Sequence, residues 1–224
     1  MASSSRWRLH GRLAAAQRHM PWLSRAKAVP ALARGASCHR VRALHVFVVA
    51  GEPSGDVLGA AVMREIRRQA GAAEKVSFSG VGGEAMAREG LKEVFPMSEL
   101  AVMGLFELIP HLPRLIRRLK DTTQAVEDAR PDILLTIDFK SFNFRVLSAL
   151  KKKGVLEKLT AVHYVGPSVW AYKRDPTKTL TFLQEHLDLL LLLYPFEAPH
   201  YRNFLSPVCV GAPVLELPEV RSRP

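Results

Sequence analysis

The chain has 224 residues, 48% of them hydrophobic and 24% charged, which is enough apolar material for a packed core and excludes a disordered chain. Its formal charge of +11 would suit a nucleic-acid binder, yet the excess sits at one end. Residues 1–45 hold eight Arg and one Lys with no Asp or Glu, leaving 23 basic against 21 acidic residues elsewhere, so no nucleic-acid partner is expected.

Residues 1–43 are rich in Arg, Ala and Ser, and Trp7, Leu9, Leu13 and Ala16 are spaced for a short amphipathic helix. That composition predicts an organelle transit peptide. The density of Arg favours the mitochondrion over the plastid, and a basic arm for anionic surfaces is the alternative. Cys38 falls in this segment and Cys209 is the only other cysteine, so no disulfide framework is expected and Cys209 reads as a buried thiol.

From residue 44 the pattern alternates. LHVFVVA (44–50) is an apolar, β-branched strand; a loop of Gly, Glu, Pro, Ser, Gly and Asp follows, then VLGAAVMREIRRQ (57–69) at the helical period. KVSFSGVGG (75–83) predicts a second strand, and EAMAREG (84–90) a helical turn or two closed by Gly90. A helical stretch then runs from Leu100 to Leu119 and beyond, where Pro110 and Pro113 are expected to kink or split it.

PDILLTID (131–138) predicts the third strand and SFNFRVLSALKKKG (141–154) its helix, stopped by Gly154. LTAVHYVG (159–166) is the fourth strand, TKTLTFLQEH a helical segment, LDLLLLLY (187–194) the fifth strand and SPVCVGAP the sixth. The run LDLLLLLYPF is far short of the ~20 residues a membrane span needs, so a soluble or surface-resting protein is expected. Apolar strands separated by helices of roughly 10–15 residues predict one α/β domain of Rossmann type, a doubly wound parallel sheet covered on both faces.

In such sheets ligands sit beyond the C-terminal strand ends. Strand one delivers Gly51, Glu52, Pro53, Ser54, Gly55 and Asp56 there; strand two Gly80, Gly82 and Gly83; strand three Asp138; strand four Gly166, Pro167, Ser168 and Trp170. The first loop matches neither GxGxxG nor a P-loop, so it specifies no dinucleotide or nucleoside triphosphate. Its glycines permit close approach of a ligand, while Ser54 or Asp56 can equally cap the next helix. Asp138 is placed to take a proton from a substrate hydroxyl, to cap a helix, or to pair with Lys140 or Arg145. Trp170 and Tyr172 suit stacking on a sugar or lining a core edge, and His163 reads as a core histidine.

The segments VAGEPSGDVLGA, GVGGEAM, FPMSELAVMGLFELIPHLPRL, PDILLTIDFKSFN, HYVGPSVWAY and LYPFEAPHY, in this order and spacing, resemble the lipid-A-disaccharide synthase family from about residue 46 to about 218. The resemblance implies a two-domain GT-B glycosyltransferase. Such an enzyme joins UDP-2,3-diacylglucosamine to the 6-hydroxyl of 2,3-diacylglucosamine 1-phosphate, with inversion to a β-1,6 disaccharide and release of UDP. It implies Asp138 as the base. Gly51, Glu52, Ser54, Gly55 and Asp56 would line the cleft floor, and Ser168 and Trp170 its wall. Neither a metal nor a cofactor is implied.

A membrane-surface role also follows from the resemblance. Val102, Met103, Leu105, Phe106 and Ile109 beside Arg114, Arg117, Arg118 and Lys120 would contact acyl chains and anionic headgroups, and a helix packed on the core with a solvated basic face is the alternative.

Three departures stand out. Pro53 occupies a position where the family has small residues. Lys140 and Ser141 replace the usual Pro-Asp pair, removing a carboxylate and adding a cation near Asp138, with an expected loss of basicity. A second, nucleotide-sugar domain with a Gly-Ser-Arg loop should follow LELPEV, whereas residues 219–224 form only a tail. The expectation is thus an acceptor-side half, 44–218, of such a synthase. The alternative is a non-catalytic form that binds glycolipid or associates with a full-length copy. Oligomeric state is left open, a homo-oligomer among the options.

Overall fold

The computed structural model describes residues 43–71, 75–100, 108–173, 175–205 and 207–211. The expected transit peptide, and Val102, Met103, Leu105 and Phe106 of the expected acyl-contact surface, lie outside the described residues. So do the side chain of Ile109 and the tail after Gly211.

Strands β1 (Leu44–Ala50), β2 (Val76–Val81), β3 (Leu91–Glu93), β4 (Ile133–Ile137), β5 (Thr160–Tyr164), β6 (Leu189–Leu192) and β7 (Pro207–Cys209) form one sheet, ordered β3-β2-β1-β4-β5-β6-β7. Every pairing is parallel. The connections are helices α1 (Pro53–Ala70), α2 (Glu84–Arg88), α3 (Leu108–Ala129), α4 (Lys140–Lys152) and α5 (Thr177–His186).

Both faces of β1 are covered, which is why it carries no polar residue after His45. Phe47 and Val49 join a buried cluster with Leu134, Val146, Leu147, Leu150 and Leu183, drawn largely from α4 and α5. On the other face Ala50 and Ile137 lie against Gly55 and Gly59 of α1, where a Cβ would stand 3.2 Å from Ala50 Cβ and 3.0 Å from Ile137 Cδ1. The two small residues let α1 approach the sheet closely.

The doubly wound reading therefore holds, with seven strands in place of six. The additional one, β3, is a three-residue edge strand, Leu-Lys-Glu, whose last two side chains are exposed. Helix α1 begins four residues earlier than expected: Glu52 is its N-cap and Pro53 supplies the preset φ of the first turn. Helix α3 is continuous from Leu108 to Ala129, so neither proline splits it. Pro110 falls in the first turn, where its missing N–H costs nothing. Leu100 is not helical in that stretch; it closes the 3-10 turn Met97–Glu99 and is fully buried.

Cys209 also departs from expectation. It lies on β7, the edge strand among the described residues, and is exposed there, with β6 as the described strand beside it.

Candidate functional site

The strand order reverses between β1 and β4: the chain winds outward from β1 to β3, then crosses back to β4 and outward to β7. Connections leaving β1 and β4 diverge to opposite faces, which opens a crevice at their C-terminal ends. Ala50 pairs with Ile137 at the last rung, so Gly51–Glu52 and Asp138–Phe139 emerge side by side. The glycine-rich loop and Asp138 are thus neighbours.

The β4 corner has unusual backbone geometry. Asp138 and Phe139 both take positive φ, 44° and 42°, and Phe139 is fully left-handed with ψ 51°. For a residue with a Cβ this costs roughly 1–2 kcal/mol each, so the surroundings must hold it. The Asp138 N–H donates to Tyr164 O of β5 at 2.9 Å. Its own carbonyl accepts from Asn143 Nδ2 at 2.8 Å, and the same nitrogen reaches Ile137 O at 3.1 Å. The half-buried Asp138 carboxylate has no hydrogen-bond or ion-pair partner among the described residues, a condition that suits a group meant to meet a ligand.

Asn143 is fully buried and its Oδ1 has no partner among the described residues. Turning the amide over would set that oxygen against two carbonyls, so the orphaned oxygen is the lesser penalty, of roughly 1–3 kcal/mol.

The glycine-rich loop divides into two groups. Gly51 gives way to a side chain of the protein itself: a Cβ there would lie 2.2 Å from Phe139 Cδ1. Gly55 serves helix–sheet packing, as above. Asp56 is buried, and its carboxylate accepts from the amides of Gly83 (2.9 Å), Ala85 (2.9 Å) and Met86 (3.0 Å), capping α2. These three, expected to line the cleft floor, brace it from beneath. Glu52 and Ser54 are exposed at the start of α1 and remain open to a ligand.

After β5, Ser168 and Trp170 are exposed, and Trp170 packs edge-on against Phe196 with centroids 5.5 Å apart. Tyr194 stacks on Phe196 at 5.6 Å, so three exposed aromatic rings form one surface beyond β5 and β6. The loop bearing Ser168 is held from below by the fully buried Tyr201, whose hydroxyl donates to Pro167 O. Burial raises that phenol well above its ordinary range, so it stays a donor. Gly166 leaves room for it, since a Cβ there would lie 2.8 Å from Tyr201 Oη.

Lys140 does not face Asp138 as the sequence suggested. Its Nζ donates to Tyr172 Oη at 2.6 Å, is 3.5 Å from Thr179 Oγ1, and lies over the Tyr172 and Phe144 rings. Arg145 likewise turns back to Ser141 O, so neither cation pairs with Asp138. His163 is the core histidine expected: fully buried, its Nδ1 2.8 Å from Thr136 Oγ1, and pushed by burial down to about 4, hence neutral.

Arg118, counted among the cations of the expected membrane surface, is instead drawn inward to Glu99 (2.5 Å) and Asp121 (2.8 Å) over the Phe95 ring. Arg114, Ile116, Arg117 and Lys120 are exposed. Among the described residues no helix is long and apolar enough to cross a membrane, and no group of three or more His, Cys, Asp or Glu is placed to hold a metal ion.

A family model described as lipid-A-disaccharide synthetase matches residues 46–223, spanning the sheet, the crevice and Asp138. The chain belongs to that family. The lipid-A-disaccharide synthase of Paramagnetospirillum magneticum is 46% identical over 172 residues, 76% of this chain and 42% of that protein. That of Rhodospirillum centenum is 42% identical over 177 residues, 79% of this chain and again 42% of that protein. The chain thus spans about two-fifths of the length of these curated relatives. A crystal structure of UDP-GlcNAc 2-epimerase from Neisseria meningitidis bound to UDP-GlcNAc is similar at TM-score 0.45 and 9% identity, over 80% of this chain and 52% of that one. That likeness is too loose to bear on the site.

Asn143, Phe139, Tyr201, Tyr194 and Phe196 escaped the reading of the strand ends. Asn143 and Phe139 lie within PDILLTIDFKSFN, but their role depends on a left-handed corner that no local pattern announces.

Proposed function

We propose that the chain is the acceptor-side half of an inverting GT-B glycosyltransferase of lipid A assembly. It joins UDP-2,3-diacylglucosamine to 2,3-diacylglucosamine 1-phosphate, giving the β-1,6 disaccharide and UDP. The observation that carries this is Asp138: a carboxylate without a partner among the described residues, at the C-terminal end of β4, in the crevice where the sheet order reverses. As the acceptor 6-hydroxyl attacks the anomeric carbon, Asp138 takes its proton, the C–O bond forms on the face opposite UDP, and UDP leaves with the electron pair of the broken bond. Glu52 and Ser54 contact the reacting sugars from the floor, and Ser168 and Trp170 from the wall. With Lys140 held by Tyr172, no cation among the described residues pairs with the base in advance.

In the same reading residues 1–43 direct the protein to the mitochondrion, and it works peripherally at a membrane surface through the start of α3. Arg114, Arg117 and Lys120 there are exposed cations suited to anionic headgroups. Association with a second copy is compatible with it.

The test is disaccharide formation from the two glycolipids by the chain, alone and mixed with the C-terminal half of the Paramagnetospirillum relative, beside Asp138→Asn. The expected result is transfer that falls by roughly 10²–10⁴-fold in the variant. Saturable acceptor binding without transfer under either condition would instead support the non-catalytic, glycolipid-binding reading. Absence of both transfer and binding would overturn the proposal.

A further inference from the structure

We infer that Asn143 is the positioning residue for Asp138, a role that rests on the reading of Asp138 as the base. One residue gathers three successive carbonyls of the β4 corner. Its Nδ2 donates to Ile137 O at 3.1 Å and to Asp138 O at 2.8 Å, and its backbone N–H donates to Phe139 O at 3.1 Å. The bond to Phe139 O is the first intrahelical bond of α4, which Phe139 N-caps, and with Asp138 and Phe139 both at positive φ the side-chain amide reaches the two preceding carbonyls as well. In an ordinary strand they would alternate in direction.

The consequence for Asp138 is directional. Its N–H is fixed by Tyr164 O and its carbonyl by Asn143 Nδ2, so the peptide planes on both sides of its Cα are held. The direction of the Cα–Cβ bond, from which the carboxylate projects, is then determined although the carboxylate itself has no hydrogen-bond or ion-pair partner among the described residues. Without the Asn143 amide nothing else among the described side chains donates to these carbonyls, and the corner relaxes toward negative φ, the conformation that L-residues favour. The Asp138 carboxylate turns with it. A bystander in the core would gain nothing from leaving Oδ1 without a partner, as Asn143 does. An apolar residue would fill that space without the penalty.

The experiment is a double-mutant cycle on the full chain, read by urea unfolding: Asn143→Ala in the wild-type and in the Asp138→Gly background. Glycine takes positive φ freely and needs no clamp there. The expected result is a lowered midpoint in the wild-type background and a clearly smaller shift with glycine at 138. Equal shifts in the two backgrounds would make Asn143 an ordinary core residue and overturn the inference. Asn143→Leu, of similar volume, is run in parallel. Should the variants fold only when glycine is at 138, the coupling is shown in its strongest form, and failure to fold in both backgrounds counts as equal shifts.

A kinetic arm ties the clamp to the chemistry. In the transfer assay Asn143→Leu is expected to lower kcat while leaving the acceptor KM in place, the signature of a misaimed base with intact binding. If Asp138→Asn keeps full transfer, the assignment of the base fails while the cycle still reports on the clamp. If the cycle shows no coupling, the clamp fails whatever Asp138 does.

Discussion

The Phe139 ring occupies the place where a side chain on residue 51 would be: a Cβ on Gly51 would stand 2.2, 2.6 and 2.8 Å from three of its ring carbons. The loop after β1 and the corner after β4 are therefore locked together by an aromatic ring seated on a bare backbone.

Gly51→Ala forces that ring aside. The expected cost is about 1–3 kcal/mol, the usual range for overpacking, measured by urea unfolding. Phe139→Ala clears the space, so the two substitutions together are expected to cost less than their sum. Additive costs would show that the ring does not press on residue 51. Because Phe139 follows Asp138 directly, Gly51→Ala is also expected to lower transfer.

Asp56→Ala removes the carboxylate that accepts from three backbone amides at the start of α2. A loss on the order of 3 kcal/mol is expected, with Asp56→Asn, which keeps one acceptor oxygen, falling between it and the wild type. Hydrogen exchange at Gly83, Ala85 and Met86 should quicken in the alanine variant. Unchanged exchange there would mean that the cap contributes nothing.

His163 predicts a pH dependence of stability. Its pKa in the fold is held by burial at about 4 against the ordinary 6.5, so between those values the unfolded chain binds a proton that the folded chain refuses. Its contribution is fully present above 6.5 and is lost as pH falls toward 4, amounting to about 3 kcal/mol over the window. His163→Gln should flatten the stability profile there. A slope identical to that of the wild type would show that the histidine is protonated in the fold.

Trp170 is 49% exposed and touches Phe196 edge-on, so Trp170→Ala is expected to change stability by less than about 1 kcal/mol. If the aromatic surface receives the acceptor, its KM should rise roughly tenfold, corresponding to about 1.4 kcal/mol of lost contact. An unchanged KM would remove this wall from the site.

Periodicity and apolar runs were sufficient for the sheet, because strands buried on both faces must be apolar throughout and leave an unbroken signal. They were silent on Leu91–Glu93, whose single buried residue makes no pattern. Pro53, Ser54 and Gly55 read as loop and the helix was begun at Val57, because Pro, Ser and Gly are turn formers as well as first-turn residues. In the site, Asp138 was visible as a carboxylate ending an apolar strand. The roles of Gly51 and Asp56 were not, since each is decided by a partner distant in sequence: Phe139 in one case and the amides of residues 83–86 in the other. The orientation of Lys140 toward Tyr172 likewise depends on a contact 32 positions away. Cys209 was misjudged because an edge strand and a central strand share one composition here, and only the sheet order tells which has a neighbour.

The β1–β4 ladder joins positions 87 apart, and everything from α1 through α3 is an excursion hung between its two strands. The crevice geometry is set at the ladder and not by the length of what lies between, and lengthening a closed loop is entropically cheap, about 0.6 kcal/mol per doubling. Segments can therefore be inserted into, or exchanged within, the surface turns of that excursion without displacing Asp138 from Gly51. The register of the β1–β4 ladder, and with it the spacing of the two corners, is thus insulated from sequence change in the turns between them.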